Sequence, residues 1–394
     1  MNIRTDYNHT IYASYIGYIT QAVVNNFVPL LFLTFSRQFG LTIDRIALIT
    51  TVNFGVQLAV DLISAKFIDG IGYRVAAVLA HILSALGLAG LSVLPAVMKN
   101  SYPGILTCVV LYALGGGLLE VIISPVVEAC PTQKKEAAMS LLHSFYCWGH
   151  VGVVVLSTLF FKAFGIEHWR ILAALWAVIP VFNIFFFSQV PLYSVTQNKE
   201  PLPVRQLFRN KLFWLFMVLM VCAGASEQAM SQWASAFAES ALGVSKTVGD
   251  LAGPCTFAVL MGTARTLYGR FSEKLRLKKA MILCAMFCIV SYLIATLTKS
   301  PAAGLIGCGL CGFSVGLFWP GTFSLAAAEI KCGGTAMFAL MALAGDLGCS
   351  AGPTLVGFVS GAANDNLKTG LLAAIVFPFM ILAGSIMLKR KKEQ

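Results

Sequence analysis

Charge is the scarcest property of this chain. Asp, Glu, Lys and Arg make up 11% of its 394 residues, against roughly 25% in soluble globular proteins. That scarcity, with 58% hydrophobic residues, excludes an ordinary soluble fold. Catalytic motifs are missing as well. No Gly-x-x-x-x-Gly-Lys-Ser/Thr loop is present to cradle a nucleotide phosphate, so ATP does not drive the protein directly. No Cys/His cluster has zinc spacing outside apolar segments, and no Gly-x-Ser-x-Gly joins a strand to a helix. Neither an enzyme active site nor a cofactor is expected. The eleven cysteines are scattered through apolar runs, where Cys308 and Cys311 form a C-x-x-C without a βαβ context, so they read as packing residues.

What fills the chain is apolar runs of membrane-spanning length, ~20 residues each. Twelve are predicted, at 11–35, 46–68, 75–98, 103–129, 138–163, 169–190, 212–239, 247–270, 280–298, 302–327, 334–361 and 370–388. The first is too long and polar for a cleavable signal peptide. The expected fold class is an all-α membrane protein embedded in the lipid bilayer. One long polar break, 191–211, predicts a linker between an N-terminal six-helix half (1–190) and a C-terminal six-helix half (212–394).

The net charge of +11 comes from basic residues spread over the loops. This suits positive-inside topology and not a nucleic-acid footprint. With both termini inside, nineteen Lys and Arg fall on the cytoplasmic side and eight on the other, leaving Arg265 within a span. A multi-pass protein of the cell (inner) membrane with both termini cytoplasmic is expected. Nothing in the sequence calls for more than a monomer.

The polar residues within spans are few, and each needs a reason. A carboxylate in hydrocarbon costs about 2.5–3.5 kcal/mol on insertion scales, a cost most often met at a water-filled functional cavity. Glu120 follows Gly115, Gly116 and Gly117, which allow a neighbouring backbone close, and precedes Pro125. It is the first candidate for proton coupling, and Asp346, set among Gly345, Gly348, Gly352 and Pro353, is the second. Gln21, Asn25 and Asn26 in the first span and Gln57 in the second form an amide group suited to solute hydroxyls. Gln228 and Gln232 share a helical face beside Glu227, with Trp233 as a ring that could stack on a sugar. His143 and Tyr146 in the fifth span and Trp319 beside Pro320 complete the candidate solute-binding set. His81 is expected to be peripheral.

A loop repeats at matching places in the two halves. Ala65, Asp69 and Arg74 follow the second span; Gly269, Glu273 and a basic run through Lys278 follow the eighth. An acid at a helix end beside a basic turn makes a clamp that holds one conformation and yields in another. Asp61 and Arg265, at matching distances before Asp69 and Glu273, could pair with each other or with other groups. These five residues, Asp61, Asp69, Arg74, Arg265 and Glu273, are the candidate gating set.

Twelve spans split six and six, with this loop in both halves, resemble the major facilitator superfamily over essentially the whole chain. That likeness implies its fold: two pseudo-symmetric six-helix halves. Gly117-Leu-Leu-Glu120 with Ser124-Pro125, the stretch Met139–Gly149, the stretch Gly312–Ser324 with Trp319-Pro320, and Ala344–Pro353 are similar to the fucose–galactose–proton symporter family. Asn25 and Asn26 fit its first span, although Pro29 stands where that family has an aspartate. The resemblance implies that Glu120 carries the proton. The sequence-based expectation is therefore proton-coupled symport of a small neutral polyhydroxylated solute, with sodium in place of the proton left open. The alternative is a proton-coupled exporter of drugs or other hydrophobic compounds.

Overall fold

The computed structural model describes residues 3–131, 135–192, 204–271, 277–330 and 334–388. Every regular element among them is helical. The chain forms two compact units, Met1–Asn198 and Lys199–Gln394.

In the first unit α1 spans Tyr7–Phe39, α2 Ile43–Ile71, α3 Tyr73–Val97, α4 Ser101–Ala129, α5 Lys135–Phe164 and α6 Trp169–Gln189. In the second, α7 is Lys211–Leu242. Next, α8 joins Lys246–Asp250, a π-helical turn at Leu251–Cys255 and Thr256–Phe271; α9 is Leu277–Leu297. Then α10 joins Pro301–Val315 and Phe318–Glu329, α11 is Gly334–Ala362, and α12 joins Leu367–Ala373 and Val376–Met387. A short helix, Val204–Phe208, precedes α7, and residues 193–203 of the expected linker lie outside the described residues. Among the described residues eleven helices are long and apolar enough to cross a membrane. The remaining one, α8, is interrupted by its π-helical turn and carries Lys246, Asp250 and Arg265.

Polar caps start several helices. The side chains of Asp6, Asn100, Asn210 and Asn366 accept backbone N–H groups at the entries to α1, α4, α7 and α12, each supplying an acceptor that the first turn lacks. Prolines divide others. A proline cannot donate to the carbonyl four residues back, and four prolines coincide with breaks. Pro29 follows the end of regular α-helix at Asn26, Pro254 lies in the π-helical turn, Pro320 sits four residues past Gly316, and Pro378 four past Ala374. Pro95, Pro125, Pro180 and Pro353 lie inside unbroken helix, so Pro125 does not interrupt α4.

The pairings of the first unit recur in the second: α1 with α5 and α7 with α11, α2 with α4 and α8 with α10, α3 with α6 and α9 with α12. Glycines permit close helix approaches. A Cβ on Gly115 would lie 2.4 Å from the Ala80 carbonyl of α3, and one on Gly117 would lie 3.0 Å from the Gln57 Cα of α2. The glycine run thus seats α4 against two helices at once. His81 is fully buried and not peripheral. Its Nδ1–H donates to the Ala77 carbonyl and its Nε2 accepts from Asn183 Nδ2, both at 2.7 Å, and Asn183 also donates to the Ala13 carbonyl at 3.0 Å, tying α3, α6 and α1.

Candidate functional site

The polar residues of the first unit converge from α1, α2, α4 and α5. Gln21 Nε2 donates to Glu120 Oε2 at 2.7 Å. Asn25 Oδ1 accepts from Gln57 Nε2 at 2.9 Å and from Asn53 Nδ2 at 3.1 Å. The Nδ2 groups of Asn25 and Asn26 approach the Tyr146 hydroxyl at 3.4 and 3.5 Å. Tyr18 and Ser124 hydroxyls meet at 3.0 Å, and the Tyr18 ring lies edge-on to His143, with centroids 5.4 Å apart. The amides are buried, Glu120 and Tyr146 partly so, and His143 is exposed. Gln21, Asn25, Asn26, Gln57, Tyr146 and Glu120 thus come together, with His143 alongside. Asn53 was not foreseen, although it stands four residues before Gln57, on the same face. Asp61 lies one residue beyond Val60, which packs on Gly117, and within electrostatic reach of Glu120.

The second unit holds a charged counterpart. Arg265 Nη2 donates to Glu227 Oε2 at 3.0 Å, joining α8 to α7. Gln232 Nε2 donates to Gln228 Oε1 at 3.1 Å, and Gln228 leans on Glu227 Oε1 at 3.4 Å. The ion pair, Gln228 and Gln232 therefore form one ladder along α7. The Trp233 indole N–H donates to the Pro353 carbonyl at 3.0 Å and the residue is 1% exposed, so it fastens α7 to α11. Trp319 lies over Gly345, where a Cβ would come within 2.5 Å of the ring, and Asp346 is buried next in sequence. The sequence reading passed over Asp250, which is wholly buried on α8, 3.1 Å from Lys246 Nζ and accepting from the Ser235 hydroxyl. Its i,i+4 spacing from Lys246 was the available signal.

The gating set divides. The side chain of Asp69, and the whole of Glu273, lie outside the described residues. Arg74 uses its guanidinium on backbone: it donates to the carbonyls of Phe187, Ser188 and Val190 at 3.1, 2.7 and 2.8 Å, capping the C-terminus of α6. Lys278, nine residues after Gly269 as Arg74 is nine after Ala65, donates to the Ile386 and Leu388 carbonyls at the end of α12. Cations suit helix C-termini, where carbonyls lack partners. Arg74→Ala is expected to lower stability by about 1–2 kcal/mol, read as a reduced melting temperature that Arg74→Lys partly restores. Among the described residues no group of three or more His, Cys, Asp or Glu side chains could hold a metal ion.

The family model described as Major Facilitator Superfamily matches residues 14–353. Among solved structures, the chain is similar to a bacterial homolog of the human lysosomal transporter Spinster. In the inward-facing, occupied conformation the identity is 13% and the TM-score 0.76, covering 96% of each chain. In the unoccupied conformation the identity is 13% and the TM-score 0.77, covering 97% of each. It is also similar to the nucleoside transporter NupG, at 12% identity and TM-score 0.77, covering 97% of this chain and 100% of that one. No curated protein matches. At such identities the likeness is one of fold.

Proposed function

This chain belongs to the major facilitator superfamily, a multi-pass membrane transporter of a small-molecule solute, and from that premise we propose that it is a proton-coupled symporter of a small neutral polyhydroxylated solute, a sugar or a compound bearing one. Membership points to transport and away from catalysis. The observation that carries the proposal is the Gln21–Glu120 hydrogen bond beside the Asn25, Asn26, Asn53, Gln57 and Tyr146 cluster. Amides and a phenol both donate and accept, which matches vicinal hydroxyls, whereas an apolar drug would offer them no hydrogen bond. The likeness of the Glu120 segment to the fucose–galactose–proton symporter family supports the same reading.

The cycle is alternating access, with the solute and proton sites opened in turn to each face of the membrane. Glu120 takes a proton from the outer face; neutralised, it tolerates occlusion, and opened to the cytoplasm it releases the proton and weakens the hold on solute. The excess of Lys and Arg in the loops of one side supports a cytoplasmic position for both termini, and the carrier is proposed to act as a monomer in the inner membrane.

Linkage fixes the sign of the pH effect. If solute binds the protonated form better, solute binding takes up a proton and tightens as pH falls. A thermal-shift screen of the purified protein against sugars, nucleosides, organic acids and hydrophobic cations, at about pH 5.5 and about pH 7.5, tests this. A sugar or nucleoside that raises the melting temperature more at the lower pH is the expected result. Stabilisation by hydrophobic cations alone would overturn the proposal in favour of an exporter.

A further inference from the structure

Asp61 is an acidic residue near Glu120 that the cycle above leaves unused, and the packing of α2 on α4 gives it a place. Gly116 and Gly117 have no side chains to hold the helices apart. A Cβ on Gly117 would lie 3.0 Å from both the Gln57 Cα and the Val60 Cβ. Asp61 stands four residues past Gln57 and Glu120 three past Gly117, each about one helical turn beyond that close contact, and the two lie within electrostatic reach of each other. Both oxygens of Asp61 are closed to solvent. Gln21, on α1, is 4% exposed. Its Nε2 is spent on Glu120 at 2.7 Å, while its Oε1 is buried and accepts no hydrogen bond among the described residues.

We propose that Asp61 and Glu120 form a single protonation site, a carboxylate pair that holds one shared proton between α2 and α4, with the Gln21 carboxamide as the group that reads which of the two carries it. The proposal rests on the proton-coupled reading of Glu120 and deepens it. Two carboxylates close together in a poorly solvated seam resist ionising together, so the pair holds its one proton until the seam opens to the cytoplasm, and the two titrate jointly. With Gln21 Nε2 donating to it, Glu120 is the acceptor and Asp61 carries the proton. In the transfer an O–H bond on Asp61 breaks as one forms on Glu120, and the pair keeps a charge of −1. Turned by half a revolution, the Gln21 carboxamide presents Oε1, now unspent, to accept from the Glu120 O–H. The orphaned acceptor and the bonded donor are the two settings of one side chain.

Other polar and titratable groups frame the seam. From α1 come Gln21 and Tyr18, whose hydroxyl is engaged by Ser124 of α4. From α2 comes Gln57, held by Asn25. From α5 come His143, edge-on to Tyr18, and Tyr146. From α3 comes His81, with both ring nitrogens engaged. Farther along α4, the Glu128 side chain lies outside the described residues.

The test is the pH midpoint of solute binding, measured by thermal shift or titration calorimetry on the whole purified protein. Asp61→Asn removes the like charge that makes Glu120 hold its proton. The midpoint is expected to move to lower pH by about one unit or more, a tenfold or greater loss in proton binding. Asp61→Glu keeps a carboxylate and the wild-type midpoint, and Asp61→Ser serves as a second neutral replacement if the asparagine variant does not fold. A midpoint unchanged in the neutral variants, or moved to higher pH, overturns the pair. Glu120→Gln separates the two levels. If it abolishes the pH dependence while Asp61→Asn leaves the midpoint in place, the proton-coupled reading stands and the pair falls. If Glu120→Gln retains the dependence, both fall.

Discussion

Glu120→Gln in proteoliposomes is expected to abolish solute accumulation against a gradient while leaving exchange of solute across the membrane intact. The substitution keeps the size of the side chain and retains an oxygen to accept from Gln21 Nε2, whose bond to Glu120 is 2.7 Å, so the cluster around Asn25 stays assembled. What it removes is titration. A wild-type carrier moving one proton per solute can concentrate solute about tenfold per unit of imposed pH difference, because one unit is worth about 1.4 kcal/mol. The variant should equilibrate solute to a ratio near one whatever the pH difference, and its solute binding should lose its pH dependence. An alkaline-inside gradient and a labelled sugar suffice for the measurement. Accumulation by the variant would show that another group carries the proton, with Asp346 next in line.

Residue types in the first unit were legible because few explanations exist for amides and acids within apolar runs. Gln21, Asn25, Asn26 and Gln57 were readable as a group, and so was Glu120 as its acidic member. Their partners were not, since hydrogen bonds such as Gln21–Glu120 and Asn25–Gln57 bridge residues far apart in sequence. Arg265 shows the same limit: it was weighed against Asp61 by internal repetition, and its partner in the second unit is Glu227, 38 residues away on the preceding helix. The seam contact of Trp233 was not legible, because an indole at a helix seam and one at a cavity wall have the same helical address and the Pro353 carbonyl it donates to has no residue type. The repeated loop carried Arg74 and Lys278 at equal spacing. Their acceptors are backbone carbonyls, which have no residue type and leave no trace in a sequence. Proline was ambiguous in the same way. Pro320 and Pro378 coincide with breaks, while Pro125 and Pro353 are carried inside unbroken helices.

The glycines of α11 serve close packing, which sets up a contrast between two chemically identical substitutions. A Cβ at Gly348 would fall 1.9 Å from the Val221 carbonyl oxygen and 2.9 Å from the Ala225 nitrogen. One at Gly352 would fall 2.4 Å from the Ala225 oxygen, and across the seam one at Gly224 would lie 2.1 Å from the Gly345 oxygen. These neighbours are backbone, so no rotamer change relieves the clash and the helices themselves must part. Gly348→Ala is expected to destabilise the protein by about 3 kcal/mol or more, at or beyond the upper end of ordinary overpacking. Gly55, inside α2, meets nothing within 4 Å. There the same change only restricts the unfolded chain and should stabilise by about 0.5–1 kcal/mol. Melting temperatures of the two variants in one detergent should therefore move in opposite directions, and equal shifts would refute the seam as the cause. The seam also reaches the candidate site. Asp346 lies two residues before Gly348 and the Trp319 ring rests on Gly345, so parting α7 from α11 would displace both while leaving the Glu120 cluster of the first unit untouched. A Gly348→Ala protein that still folds should therefore lose solute transport before it loses the pH dependence of whatever solute binding remains.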